Sequence, residues 1–137
     1  MTENAVKNIP YPQETVYRVL SDLNNLDKVA DKILDSQIKE LKYTGETVSF
    51  SIPGAGVMKF RIAEKEPARR IHLIAEDSFI PISLTILIEP AGELSSILTL
   101  SITADVNIFL ANMIRKPIKE GVEKLSMIFA TIPYNSI

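Results

Sequence analysis

The chain has no cysteine and a single histidine, His72, among its 137 residues. Without cysteine there is no disulfide framework, no thiolate metal site and no cysteine nucleophile. One histidine leaves a transition-metal site short of ligands, and the acids show no calcium-loop spacing. Neither a metal nor a cofactor is therefore expected. Glycine is scarce, at 5 residues. The run "GAG" at Gly54 to Gly56 lacks the lysine and the strand-to-helix setting of a phosphate loop, and reads as a hairpin turn. A Gly-x-Ser-x-Gly nucleophile elbow is absent as well. No charge predominates: 15 basic residues stand against 17 acidic ones, for a formal net charge of -2. With no basic stripe, nucleic acid is not expected as a partner, and anionic membrane surfaces are disfavoured. The most apolar stretch, "FIPISLTILI" from Phe79 to Ile88, contains a proline and falls far short of the roughly 20 residues of a membrane span. The opening "MTENAVKNIPYPQE" has no basic segment followed by an apolar one, so no secretory signal is expected. These absences predict a soluble, cytoplasmic protein. Its oligomeric state is not legible.

What is present is a globular composition, 46% hydrophobic and 23% charged, at a length typical of one domain. A single domain over residues 1–137 is expected. Residues 3–9 suit a short strand ending at Pro10. "YPQETVYRVLSDL" predicts a helix, with Pro12 at its start and Val16, Val19, Leu20 and Leu23 on one face. "NNLDKVADKIL" predicts a second short helix, capped by Asn24 or Asn25, with Leu26, Val29, Ala30 and Ile33 at helical spacing. From residue 36 the period changes to two. After a weak strand in "SQIKELKY", "TVSFSI" puts Val48, Phe50 and Ile52 on one face. "VMKFRIAEKE" does so with Met58, Phe60 and Ile62, and "RIHLIAED" with Ile71, Leu73 and Ala75. "SLTILIE" gives Leu84, Ile86 and Ile88; "SSILTLSITA" gives Leu98, Leu100, Ile102 and Ala104. The turns "PGAG", "EPARR" and "EPAGEL" join them into an antiparallel meander with one apolar and one polar face. With the N-terminal strand, a sheet of six to seven strands is expected.

A long C-terminal helix is left to cover the apolar face. It begins near Asn107, which suits an N-cap. Leu110, Ile114, Ile118, Val122, Leu125, Ile128, Phe129 and Ile132 gather in one stripe. About 24 residues span roughly 36 Å, enough to cross the sheet diagonally. Pro117 and Gly121 are unusual there, costing about 3 and about 1 kcal/mol relative to alanine in a helix interior. The proline predicts a bend that follows a curved sheet. Gly121, near the middle of the stripe, leaves a gap. Either the sheet backbone fills it by close approach or a ligand occupies it.

This order of elements resembles the helix-grip fold: an α+β architecture in which a curved antiparallel sheet wraps a long C-terminal helix, with two short helices after the first strand. The opening "NIPYPQETVYRVLSDLNNL" is similar to the start of the superfamily of START domains, birch-pollen-allergen relatives and polyketide cyclase/dehydrase-like proteins. Pro12, Glu14, Val16, Tyr17, Leu20 and Asp22 hold the places of its first-helix pattern. "NIFLANMIRKPIKEGVEKLSMIFATI" matches its closing helix in length and position. The resemblance covers nearly the whole chain through patterns of apolar residues. It implies a cavity for hydrophobic small molecules between sheet and helix, with cyclisation, dehydration or hydrolysis in some members.

Candidates for chemistry are few. His72 shares strand parity with Arg70 and Glu76, opposite Ile71, Leu73 and Ala75, which directs it to water. Glu76 and Asp77 form an acidic pair at a strand end and read as a solvated terminus. Asp105 suits the helix dipole. Tyr17, Tyr43 and Tyr134 carry hydroxyls whose direction the sequence does not fix. No catalytic residue is assigned. The expected ligand lining is Phe50, Met58, Phe60, Ile62, Leu73, Ile86, Leu100, Leu110, Ile114, Ile118, Gly121, Leu125, Ile128 and Phe129, with Ile52 and Ile102 beside them. The same residues equally describe a filled core. The leading expectation is binding of a lipid, sterol or polyketide-like molecule without catalysis. A cyclase, dehydratase or hydrolase on such a ligand is the second. An interaction module with a filled core, suggested by outward Ile74 and Ile97, is the third.

Overall fold

The computed structural model describes residues 1–28, 39–52, 56–78 and 80–137. Strand β1 (Thr2–Ile9) leads into helix α1 (Gln13–Leu20) and a 3-10 segment, Leu23–Lys28. The meander follows as β2 (Lys39–Tyr43), β3 (Thr47–Ile52), β4 (Gly56–Glu66), β5 (Arg70–Ala75), β6 (Ile82–Pro90) and β7 (Ser96–Ala104). Helix α2 (Ile108–Thr131) and a 3-10 turn, Tyr134–Ser136, close the chain. The second expected helix is 3-10 as far as Lys28; Val29, Ala30 and Ile33 lie outside the described residues, as does the side chain of Ile52.

All strands join one antiparallel seven-stranded sheet in the order β1-β7-β6-β5-β4-β3-β2. Neighbours in sequence from β2 to β7 are neighbours in the sheet, as the short turns require. β1 instead closes the far edge beside β7, with Ala5 opposite Leu100 and Ile9 opposite Ser96. Burial follows the period of two. β7 buries Ser96, Leu98, Leu100, Ile102 and Ala104, while β6 buries Leu84, Ile86 and Ile88. In β4 the pairing with β5 shifts between Ile62 and Glu64, a bulge that ends the inward run at Ile62.

Helix α2 runs unbroken through Pro117. Proline removes the donor that would bond the carbonyl of Met113. Met113 lies on the outer side of the helix, 74% exposed. Ala111, Ile118, Gly121, Val122, Leu125, Ile128 and Phe129 are buried, and the helix packs on β1 and β7 and reaches β3. Leu110 and Ile114, expected inside, are half-buried. The reason lies in β1, whose less exposed positions include Glu3 and Lys7. That end of the interface is polar, and Arg115 Nε stands 3.5 Å from Glu3 Oε1. Asn107 caps the helix, its Oδ1 accepting from the Leu110 N–H at 2.9 Å. Asn107→Ala is expected to cost about 1 kcal/mol, read as a lower urea midpoint at unchanged m.

Candidate ligand-binding cavity

An apolar cavity of about 50 Å³ lies where the sheet, α1 and the end of α2 converge. Val19 and Leu20 of α1 line it with Leu23 and Leu26 of the 3-10 segment. The sheet contributes Leu41, Val48, Phe50, Leu73, Leu84 and Ile86; Leu125, Phe129 and Ile132 close it from the helix side. Among the described residues, only Asp22 and Asn25 bring polar side chains to the wall. Asn25 Nδ2 donates to the Val19 carbonyl at 2.9 Å, and Asp22 Oδ1 accepts from the Asn24 N–H at 3.0 Å. The described wall contains no histidine, lysine, arginine or tyrosine.

A second pocket, of about 270 Å³, opens at the sheet end where β5 leaves for β6. Met58, Phe60, Ala75 and Ile82 form its apolar part, and Lys59, Glu76, Asp77 and Ser78 its rim. Glu76 is held by its neighbours: Oε1 is 2.7 Å from Arg61 Nε, and Oε2 is 3.8 Å from Lys59 Nζ. The Ser78 hydroxyl donates to the Ile80 carbonyl at 2.7 Å. The Glu76–Asp77 pair of the sequence therefore sits at a pocket mouth, with Glu76 beside two cations.

The candidate lining divides accordingly. Phe50, Leu73, Ile86, Leu125 and Phe129 line the inner cavity. Met58 and Phe60 line the outer pocket. Ile62, Leu100, Ile102, Ile118, Gly121 and Ile128 are buried but line neither, and Leu110 and Ile114 are half-buried and line neither. The wall residues from α1 and the 3-10 segment stand outside the expected lining. Their signal was in the sequence: the apolar face Val16, Val19, Leu20, Leu23 needs a partner surface, and a sheet covered by one helix alone leaves it none.

Three other candidate groups, His72, Tyr43 and Tyr134, are engaged away from both spaces. His72 Nδ1 is 2.9 Å from Thr85 Oγ1, its cross-strand partner on the polar face. The Tyr43 hydroxyl donates to Asp27 Oδ1 at 2.7 Å, and this bond to a carboxylate raises its pKa. Tyr134 is fully buried, donates to the Phe129 carbonyl at 2.7 Å and has its pKa pushed up by burial. Among the described residues no three His, Cys, Asp or Glu side chains are grouped to hold a metal ion, and no helix is long and apolar enough to cross a membrane.

A curled antiparallel sheet gripping a long C-terminal helix, with short helices after the first strand, is the helix-grip fold. No protein-family model matches the chain, and no curated protein matches it in sequence. Solved structures share the fold at low identity. Norcoclaurine synthase of Thalictrum flavum, as a point mutant with a transition-state analogue, matches at a TM-score of 0.76 and 12% identity, over 95% of this chain and 91% of that one. The same enzyme with dopamine and hydroxybenzaldehyde matches at 0.74 and 12%, over 95% and 84%. A START superfamily protein from Mycobacterium smegmatis matches at 0.69 and 17%, over 94% of each chain.

Proposed function

We propose that this chain binds a hydrophobic small molecule, of lipid, sterol or polyketide-like character, between its sheet and its helices, as a single-domain cytoplasmic carrier rather than a catalyst. The observation that carries this reading is an interior cavity walled almost entirely by aliphatic and aromatic side chains. The norcoclaurine synthase structure, which has the same fold, holds dopamine and hydroxybenzaldehyde. Catalysis on a bound ligand needs an acid and a base converging on it; the described wall of the cavity offers one carboxylate, Asp22, which is itself exposed, and Glu76 at the outer pocket is already paired with Arg61 and Lys59.

Native mass spectrometry of freshly purified protein is expected to show added mass from a retained apolar ligand. Fatty acids, sterols and aromatic polyketides are expected to divide into those that raise the Tm and those that leave it alone. Leu125→Trp, which fills the cavity from the helix side, is expected to weaken binding of the stabilising ligands at least tenfold. No added mass, together with no Tm rise from any of the three classes, rejects the reading.

A further inference from the structure

The inner cavity and the outer pocket are too different to be taken as two sites. At about 50 Å³ the cavity is smaller than any small-molecule pocket of ordinary size, while the pocket is open and charged at its rim. The geometry points to one channel: cavity and pocket are two halves of a single ligand site, closed in this structure by the stacked rings of Phe50 and Phe60. The channel takes a flat apolar molecule whose polar end stays at the Lys59–Glu76–Asp77 rim. This rests on the binding reading above and adds the route, the partition and the shape of the ligand.

Strand positions set the two spaces end to end. Phe50, in the cavity wall, pairs across β3 and β4 with Met58, in the pocket wall. Leu73 in the cavity and Ala75 in the pocket are successive inward positions of β5. Leu84 in the cavity and Ile82 in the pocket are the same on β6. Successive inward positions lie about 6.6 Å apart along a strand, so a single layer of side chains separates the two spaces. That layer contains the aromatic pair: the Phe50 and Phe60 rings stack at 5.9 Å and 25°, with Phe60 at 0% exposure.

Two details suit the layer to opening. The cross-strand neighbour of Phe60 is Ala75, whose small side chain leaves room for the ring on the pocket side. A flat ligand that displaces one ring keeps an aromatic face against the other, so the stacking lost in opening is recovered in the complex. The joined volume reaches the lower end of the range for small-molecule pockets, about 300 Å³.

The test is a fluorescence titration and stopped-flow association of N-phenyl-1-naphthylamine with the wild type, Phe60→Leu, Ile82→Trp and Leu125→Trp, each checked for folding by circular dichroism. Phe60→Leu thins the partition and is expected to bind the probe at least threefold tighter. Phe50→Leu thins it from the cavity side and replaces Phe60→Leu if that variant does not fold. Ile82→Trp, at a half-buried position of the mouth, is expected to slow association at least tenfold. Loss of binding in Leu125→Trp with wild-type rates and affinities in the Ile82 and Phe60 variants overturns the channel and leaves a site confined to the cavity, widened by its own walls without the pocket. Wild-type binding in Leu125→Trp, or no binding by the wild type and Phe60→Leu alike, overturns both.

Discussion

Phe60→Ala is expected to lower the stability of the protein by about 3–5 kcal/mol, the cost of losing a fully buried phenylalanine and leaving its space unfilled. In a chain of this length that corresponds to a Tm loss on the order of 10–15 °C. Three contributions add up in this residue. Its ring is at 0% exposure, so the whole transfer free energy is lost. Its stack with Phe50 disappears with it, worth about 0.5–1.5 kcal/mol beyond burial. Its neighbours sit on paired strands, whose hydrogen bonds stop them collapsing into the hole. Phe109→Ala is the control, since that ring is 80% exposed on α2 and its removal is expected to stay within about 0.5 kcal/mol. Differential scanning calorimetry of the two variants decides the matter. A Phe60→Ala Tm within about 3 °C of wild type would place that ring outside the packed interior. The channel adds a second readout: a saturating apolar probe is expected to recover more Tm in Phe60→Ala than in Leu100→Ala. Both variants lose core volume, but only the first opens the ligand route, and only a ligand that binds the folded state stabilises it.

The strands of the meander were legible because each needs only local information. In "TVSFSI" the alternation of Val48, Phe50 and Ser49, Ser51 states both the conformation and the face. The long helix was legible for the same reason, and Asn107 marked its start. What was not legible is whatever depends on pairing distant segments. Nothing in "TENAVKNI" says that it lies beside β7, because a period of two names a face and not a neighbour. The polar residues Glu3 and Lys7 on its helix-facing side explain why Leu110 and Ile114 are less buried than their stripe implied. The bulge past Ile62 is likewise a property of the β4–β5 pair and not of either sequence.

The candidate site was half legible. Parity assigned Phe50, Leu73 and Ile86 to the inner face, and helical spacing did the same for Leu125 and Phe129. Parity does not say how far along the inner face a cavity extends. Leu100 and Ile102 share that face and are at 0% exposure, yet they are closed over by the helix and line neither space. The lining from α1 was read as a helix face without a destination. Gly121 drew notice for its missing side chain, whereas the opening lies farther along the helix, beside Leu125 and Phe129. A gap in side-chain volume becomes a cavity only where the facing surface does not fill it, and the facing surface is a tertiary fact.

The hydroxyl of Tyr134 shows the same distinction and yields the last prediction. Sequence alone leaves its direction open. The structure buries the side chain, its ring centroid 5.5 Å from that of Tyr11 at 65°, and gives the hydroxyl the Phe129 carbonyl at 2.7 Å. In a continuing helix that carbonyl accepts from the N–H four residues on, but residue 133 is proline and has none. The Tyr134 hydroxyl is thus the donor that ends α2. Tyr134→Phe keeps the ring and removes the donor, leaving a buried carbonyl unpaired at a cost of about 1.5–2 kcal/mol at neutral pH. The sign of the pH dependence follows from the raised pKa. Below pH 10 the phenol is neutral in both states, and its contribution is fully present. Above the ordinary value of 10.0 the unfolded chain ionises while burial holds the native phenol protonated, so the wild type loses about 1.4 kcal/mol per pH unit from this group. Phenylalanine has no proton to lose there. Urea unfolding at pH 8 and pH 11 is therefore expected to show the gap between wild type and Tyr134→Phe shrinking by about 1.4 kcal/mol. A gap of constant size would mean that the hydroxyl meets water in the native state, and that the end of α2 is capped by something other than this side chain.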